Sequence, residues 1–255
     1  MRIALGVEYD GSAYSGWQSQ PEAPNIQDAL QAALGGIAGE PVSVQAAGRT
    51  DAGVHALEQV VHFDTNIKRP LTAWVRGANA LLPQGIAVLW AHEVPEEFHA
   101  RFSAQARSYQ YILINRPSRL GVHHGKAGWF HAPLDVEAMR AAGELLLGEH
   151  DFSAFRSSEC QAKTPVKHLQ RLDIEPRGDT IFFDLTADAF LHHMVRNIVG
   201  CLVYVGKGKH PPQWMREVLE GRDRKYAAPT FMPDGLYLKR IHYDPKWQLP
   251  QLRFE

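Results

Sequence analysis

The sequence contains little cysteine, with only Cys160 and Cys201 among its 255 residues. The two lie far apart in the chain, and neither belongs to a C-x-x-C pair. This usage excludes a disulfide-rich scaffold and a cysteine-based zinc site. We expect both side chains to be reduced thiols that pack like small apolar groups.

Long apolar runs are also absent. No stretch approaches the roughly eighteen apolar residues that a membrane-spanning helix requires. The opening segment MRIALGVEYD is interrupted by Glu8 and Asp10 before the apolar region of a signal peptide could form. Because 45% of the residues are apolar, the chain can still bury a substantial core. We expect a globular, cytoplasmic protein that has no membrane partner.

The chain has little net charge, −1 at pH 7, which taken alone argues against a polyanionic partner. Two long stretches, 98–134 and 189–216, nevertheless contain no acidic residue. If the fold gathers these stretches on one face, they form a phosphate-binding surface; otherwise they are ordinary solvated surface. Their basic residues are Arg101, Arg107, Arg116, Arg119 and Lys126 in the first stretch, and Arg196, Lys207, Lys209 and Arg216 in the second.

Motifs for nucleotides and metals are missing as well. Gly48 and Gly53 have the glycine spacing of a phosphate loop, but the two residues that follow are Val and His instead of Lys and Ser or Thr. Neither G-x-S-x-G nor H-E-x-x-H occurs. His192 and His193 are adjacent, and neighbouring side chains on a helix point about 100° apart, which disfavours joint metal ligation. We therefore predict neither a metal nor a cofactor.

Apolar periodicity predicts an α+β protein. The pattern favours two similar α/β halves, residues 1–105 and 106–255, that share a continuous, mainly antiparallel sheet with helices packed on it. Strands are predicted at 2–10, 41–51, 59–65, 85–94 and 107–115, with a hairpin at 167–188 that turns at 177–179. Helices are predicted at 26–39 after the N-cap Asn25, at 71–82, at 134–148 with Asp135 as cap, at 192–206, and at 211–221 with Pro212 in the first turn.

Residues 48–56, GRTDAGVHA, join two predicted strands and place Asp51 between Arg49 and His55. An aspartate beside a glycine most often forms an Asx turn or a helix cap. A carboxylate in a partly enclosed loop, however, stays ionised only with a cationic partner. Such a carboxylate can act as a nucleophile or as a base. On the residues alone, the loop is either architecture or an active site.

The run GRTDAGVHA resembles the signature of the tRNA pseudouridine synthase A family, which modifies the anticodon stem-loop of tRNA. The similarity extends over nearly the whole chain, because five further segments resemble family segments in family order. They are VEYDGSAYSGWQ (7–18), FHARFSAQARSYQYILIN (98–115), DFSAFRSS (151–158), DAFLHHMVRNIVG (188–200) and DGLYLKRIHY (234–243).

The resemblance implies a pseudouridine synthase fold and an isomerase that converts uridine to pseudouridine at tRNA positions 38, 39 and 40. It implies no cofactor, and a homodimer in which one tRNA contacts both chains. Asp51 matches the catalytic aspartate, Tyr109 the tyrosine that packs on the target base, and Arg196 the arginine that pairs with the aspartate. Arg49 matches the arginine that occupies the space left by the flipped base.

The resemblance also implies RNA contacts outside the catalytic residues. They fall on Phe98, His99, Ala100, Arg101 and Phe102, on Glu159, Cys160, Gln161, Ala162 and Lys163, and on Arg69. The sequence departs from the family beside Tyr109, because Ser108 and Gln110 stand where many members carry basic residues. This departure affects the expected backbone contacts there, and leaves the role of the tyrosine in place.

Two other functions compete with the isomerase. The first is an RNA-binding or RNA-folding protein of the same fold without turnover, which would retain RNA affinity and form no product. The second is a nucleoside or glycoside hydrolase, which normally carries a second paired carboxylate and would release free uracil.

Overall fold

The computed structural model describes residues 1–252. In this range the chain forms a large, mostly antiparallel sheet of ten strands together with five α-helices. The predicted α+β class is therefore confirmed. None of the helices in the described range combines the length and apolar character that a membrane span requires.

The elements follow one another in mixed order. The strands are β1 (Arg2–Tyr9), β2 (Gln45–Ala46), β3 (His55–Asp64), β4 (Ile86–Val94), β5 (Ala104–Asn115), β6 (Gly128–Phe130), β7 (Gly148–Asp151), β8 (Val166–Arg177), β9 (Thr180–Ala187) and β10 (Leu236–Tyr243). The helices are α1 (Ile26–Ala38), α2 (Leu71–Leu81), α3 (Val136–Glu144), α4 (Met194–Gly206) and α5 (Trp214–Gly221).

The chain divides into two compact units. The first contains Met1–Gln105 together with the chain from Leu238 onward, and the second contains Ala106–Tyr237. The predicted halves are 1–105 and 106–255. They differ from these units at β10, because most of this strand belongs to the first unit.

The first unit is built on β1, which lies between β3 and β4 and is antiparallel to both. Its apolar alternation predicts burial of one face only, yet Ala4 and Gly6 on the other face are buried too. Trp90 covers Gly6, because a Cβ on Gly6 would lie 2.2 Å from the indole Nε1. Asn25 caps α1 as predicted, accepting a hydrogen bond from Asp28 N.

The second unit pairs its strands in the order β5-β9-β8-β7, all antiparallel, with β6 parallel to β5. The predicted hairpin is confirmed as β8 and β9. The short strand β6, at Gly128–Phe130, is not among the predicted strands. Helix α3 ends at Glu144 instead of 148, because Gly148 already pairs with Leu169 as the first residue of β7.

The starts of α4 and α5 also differ from prediction. Helix α4 begins at Met194 instead of 192, because His193 has a left-handed φ of 64° that a right-handed helix cannot include. Helix α5 begins at Trp214 after Gln213, so Pro212 precedes the helix and is not in its first turn.

Candidate active site

Asp51 lies in the loop between β2 and β3. The sequence predicts a strand over 41–51, but only Gln45–Ala46 is a strand, and residues 47–54 form a longer loop. The side chain of Asp51 is half-buried, whereas that of Arg49 is exposed. The loop therefore presents a cation at its surface, two residues from a partly enclosed carboxylate.

The segment that follows β1 holds this loop by its backbone. Trp17 N donates to Thr50 O at 3.0 Å, and Gly53 N donates to Tyr14 O at 3.3 Å. Gly16 has a φ of 97°, and a Cβ there would lie only 2.7 Å from Thr50 O. The two segments are thus in direct backbone contact, which fixes the backbone around Asp51.

Buried polar side chains of β1 and β3 also form hydrogen bonds to the same loop. The Tyr9 hydroxyl and Thr50 Oγ1 share a hydrogen bond of 2.8 Å, and Gln59 Nε2 donates to Gly48 O at 2.7 Å. Burial raises the pKa of Tyr9 well above its usual value, so its hydroxyl stays protonated. The loop is therefore anchored on both sides of Arg49, immediately before Asp51.

His55 has a structural contact at the end of the loop. The ring is buried, and its Nδ1 accepts a hydrogen bond from Gly11 N at 3.1 Å. Gly11 itself lies against Val54, since a Cβ on Gly11 would be 2.0 Å from Val54 O. This bond connects the start of β3 to the segment that supports the loop.

Tyr109 lies on β5 in the second unit, opposite Leu185 of β9. Its half-buried ring packs edge-on against Phe190, with the centroids 5.1 Å apart. The flanking side chains bond across to β9, with Ser108 Oγ 2.8 Å from Thr186 Oγ1 and Gln110 Nε2 3.2 Å from the Asp184 carboxylate. The two residues that depart from the family pattern thus bond to the neighbouring strand.

Arg196 lies in the first turn of α4. Its Nε donates to Phe231 O at 2.8 Å, and Phe231 N donates back to Arg196 O at 3.3 Å. One edge of the guanidinium is therefore fixed by the backbone, which orients the group.

The four predicted catalytic and substrate-binding residues belong to different units. Asp51 and Arg49 are in the first, whereas Tyr109 and Arg196 are in the second. Their joint action on one nucleotide, and the pairing of Arg196 with Asp51, stay predictions.

The predicted RNA-contact segment 98–102 divides into buried and exposed residues. Phe98 and Ala100 are fully buried, so they anchor the segment and do not present side chains to a ligand. Phe102 is 75% exposed, its ring centroid lies 4.3 Å from that of His99, and the Arg101 guanidinium lies 5.7 Å from it. RNA contact at His99, Arg101 and Phe102 stays a prediction.

A buried histidine supports this segment. His62 Nδ1 accepts a hydrogen bond from Ala100 N at 3.1 Å. Burial, with smaller contributions from His99 and Arg2, lowers the pKa of His62 to about 4. The ring is therefore neutral at pH 7, as its acceptor role requires.

The other predicted RNA contacts are surface groups. Arg69 is exposed just before α2, and Glu159, Gln161 and Lys163 are exposed, while Cys160 and Ala162 are half-buried. Arg156 holds this second segment through its backbone, donating from Nη2 to Cys160 O at 2.6 Å and to Ala162 O at 3.0 Å. Contact of these residues with RNA stays a prediction.

His192 and His193 differ from the arrangement that the sequence predicts. Because both precede α4, the helical spacing does not apply, and their ring centroids lie 4.0 Å apart. The argument from helix geometry against joint ligation is wrong.

Sequence reasoning missed the residues that support the loop, namely Tyr9, Thr50, Gln59 and Gly16. Only Gly16 carried a signal, since a glycine between a strand and a helix marks a close approach or an unusual backbone angle. The contacts of the other three connect residues 11 to 41 positions apart in sequence, which no local pattern shows.

Comparison with known proteins identifies the family. A family model described as tRNA pseudouridine synthase matches residues 6–103 and 142–244. The tRNA pseudouridine synthase A of Dechloromonas aromatica is 60% identical over 250 residues, which are 98% of this chain and 95% of that protein. The protein of the same name from Chromobacterium violaceum is 62% identical over 251 residues, 98% of this chain and 96% of that protein.

A solved structure is more distant. The crystal structure of a Cbf5-Nop10-Gar1 complex contains a chain that is 11% identical, with a TM-score of 0.36, and the match covers 79% of this chain and 45% of that one. A similarity at this level supports no conclusion about function. The family match and the two relatives are decisive: the chain belongs to the tRNA pseudouridine synthase family. The predicted family and its enzyme class, isomerase, are confirmed.

Proposed function

We propose that this protein isomerises uridine to pseudouridine at positions 38, 39 and 40 of the tRNA anticodon stem-loop. The observation that carries the proposal is the loop of Asp51, held by the backbone of residues 14–17 and by buried hydrogen bonds, in a chain of this family. A fixed carboxylate is what catalysis at a sugar carbon requires.

The reaction conserves the atoms of the nucleotide. The C1′–N1 bond of uridine breaks, the uracil turns, and a C1′–C5 bond forms; the C5 proton leaves and N1 gains a proton. No electrons or groups are exchanged with another molecule, so the proposal includes neither a cofactor nor a metal.

Access to the base is the first requirement. A stacked uridine must be extruded, which costs a few kcal/mol, and a planar cation in the vacated space offsets part of this cost. Arg49 is exposed and adjoins the anchored Thr50, so its guanidinium can extend from a fixed backbone. We assign this task to Arg49.

Asp51 then acts at the sugar. Cleavage of C1′–N1 builds positive charge at C1′, which a carboxylate stabilises electrostatically or by forming a glycosyl ester. The ring of Tyr109 packs against the detached uracil while it turns, and Arg196 favours the ionised carboxylate through a charge-assisted pair.

The proposal extends to partners and compartment. The substrate is tRNA, the working form is a homodimer whose two chains pool their basic segments, and the compartment is the cytoplasm. RNA contacts at Arg69, at 98–102 and at 159–163 would position the stem-loop.

Release of tritium from tRNA labelled at uridine C5 tests the proposal. We expect release by the native chain and none by Asp51→Asn, which keeps the side-chain shape and removes the charge, while tRNA binding persists. Asp135→Asn, at the N-cap of α3 in the second unit, is the control and should release tritium normally. Binding without release by the native chain would support the RNA-binding alternative, and free uracil would identify a hydrolase.

A further inference from the structure

The second unit contains a cavity of about 520 Å³ whose lining includes two arginines and no acidic residue. Arg156, Arg224 and His193 line it, and no acidic side chain does. A smaller cavity of about 200 Å³ in the same unit is different, because Asp151 and Glu220 face Arg216 and Arg222 there. The lining of the larger cavity thus contains no carboxylate, whereas that of the smaller one contains two.

The two arginines of the larger cavity have only neutral partners among the described residues. Arg156 donates to the carbonyls of Cys160 and Ala162. Arg224 donates from Nη2 to Asn197 Oδ1 and to Thr230 Oγ1, each at 3.1 Å. These bonds fix both guanidiniums in place and neutralise neither charge. A half-buried pair of such cations favours an anion between them.

Other groups around the cavity suit the same anion. Hydroxyls line it at Ser153, Ser157, Ser158 and Thr230. Thr230 Oγ1 donates its proton to Asn197 Oδ1, and the three serine hydroxyls can donate to a ligand. His193 is also the residue before α4, a helix of thirteen residues whose first turn has no side-chain cap. The positive end of the helix dipole therefore adds to the potential at this wall.

We propose that this cavity binds a phosphate group, and that a phosphodiester of the tRNA occupies it in the complex. The inference rests on the proposed function for its choice of RNA. Arg156 connects the cavity to the exposed segment 159–163, so a strand that crosses that segment passes the cavity mouth. Fixed arginines with hydroxyl donors form a site for a tetrahedral oxyanion.

A matched pair of variants tests the site without removing either arginine. Ser157→Asp places a carboxylate in the cavity, and Ser157→Asn places a neutral group of the same shape there. Both can keep the local turn in which Ser157 Oγ accepts from Glu159 N. Ser158→Asp and Ser158→Asn form a second pair at an exposed position, in case the first pair does not fold.

We expect Ser157→Asp to bind tRNA about tenfold more weakly than Ser157→Asn at moderate salt. The slope of log Kd against log salt should fall by about one in the Asp variant, which corresponds to one lost phosphate contact. Equal affinities and slopes within both pairs would overturn the proposal. Thermal unfolding of each pair checks that the variants are equally folded.

Competition by inorganic phosphate and by uridine monophosphate tests whether the cavity binds a phosphodiester of the tRNA or a free anion. We expect either to weaken tRNA binding by the native chain at constant ionic strength, and to have no such effect on Ser157→Asp. If they raise the unfolding temperature while both Ser157 variants bind tRNA equally, the cavity holds a free anion and the assignment to RNA is wrong.

Tritium release separates this inference from the proposed function. If the Asp variants bind tRNA more weakly and the native chain releases no tritium, the results contradict the isomerase and leave the phosphate site in place. Normal release together with equal binding within the pairs would contradict the phosphate site alone.

Discussion

At the scale of single residues, the hydrogen bond between Tyr9 and Thr50 decides how well the loop of Asp51 is held. Both side chains are buried, so removal of one partner leaves the other unsatisfied, which costs roughly 1–3 kcal/mol. We predict that Tyr9→Phe and Thr50→Val each lower the free energy of unfolding by this amount. The double variant should lose less than the sum, because it removes both partners of this hydrogen bond together.

Urea unfolding of the four proteins measures this coupling, and tritium release measures its effect on catalysis. We expect kcat to fall, since the loop carries Asp51, to which we assign the chemical step, together with Arg49. Strictly additive losses, with normal kcat in each variant, would show that the bond does not position the loop.

His62 determines a pH dependence of stability at the same scale. Its pKa is about 4 in the folded chain and about 6.5 in the unfolded chain, so between these values the unfolded chain binds more protons. Its contribution to stability is therefore complete above pH 6.5 and is lost as the pH falls to about 4, by up to about 3 kcal/mol.

His62→Asn tests this prediction, because the amide oxygen can still accept from Ala100 N but cannot titrate in this range. Urea unfolding between pH 7 and about pH 4 should show a smaller loss for the variant than for the native chain. Identical pH profiles would contradict the prediction.

At the scale of elements, the contact between segment 14–17 and the loop of Asp51 depends on Gly16. Gly16→Ala would force its Cβ against Thr50 O and also strain a backbone with φ of 97°. Gly39→Ala is a matched control, because Gly39 has a φ of 74° and open space around its Cβ. Both variants should lose stability, and only Gly16→Ala should also lose turnover. A normal kcat in folded Gly16→Ala would separate this contact from catalysis.

Elements governed by local chemistry were predictable from the sequence. The alternation of Ile3, Leu5 and Val7 predicted β1, and Asn25 marked the start of α1. Elements governed by distant contacts were not. The segment before Asp51 has the composition of a strand, but its backbone bonds to Trp17 and Tyr14 instead of continuing in the sheet. The start of α4 depends on a left-handed residue, His193, that no periodicity reveals.

At the scale of the whole molecule, the charge pattern of the sequence is only partly retained in the fold. Arg116, in an acid-free stretch, forms an ion pair at 3.3 Å with Asp179 from outside that stretch. Lys207 and Lys209 are exposed and have no acidic partner among the ion pairs of the described residues; both lie over the ring of Tyr204, at 4.1 and 4.2 Å. An acid-free stretch in the sequence therefore predicts more unpaired positive charge on the surface of one chain than the fold retains.

A near-neutral chain binds a polyanion better when two copies combine their cationic segments. We therefore predict that the protein sediments without RNA at twice the mass of one chain, and that tRNA affinity weakens on dilution below the dimer dissociation constant. The affinity should also fall steeply with salt, because each phosphate contact adds about 0.9 to the slope of log Kd against log salt. Sedimentation velocity and tRNA titrations over a range of protein and salt concentrations measure these quantities. A monomer that binds tRNA with undiminished affinity would contradict the prediction, and would require one chain of net charge −1 to supply the whole surface.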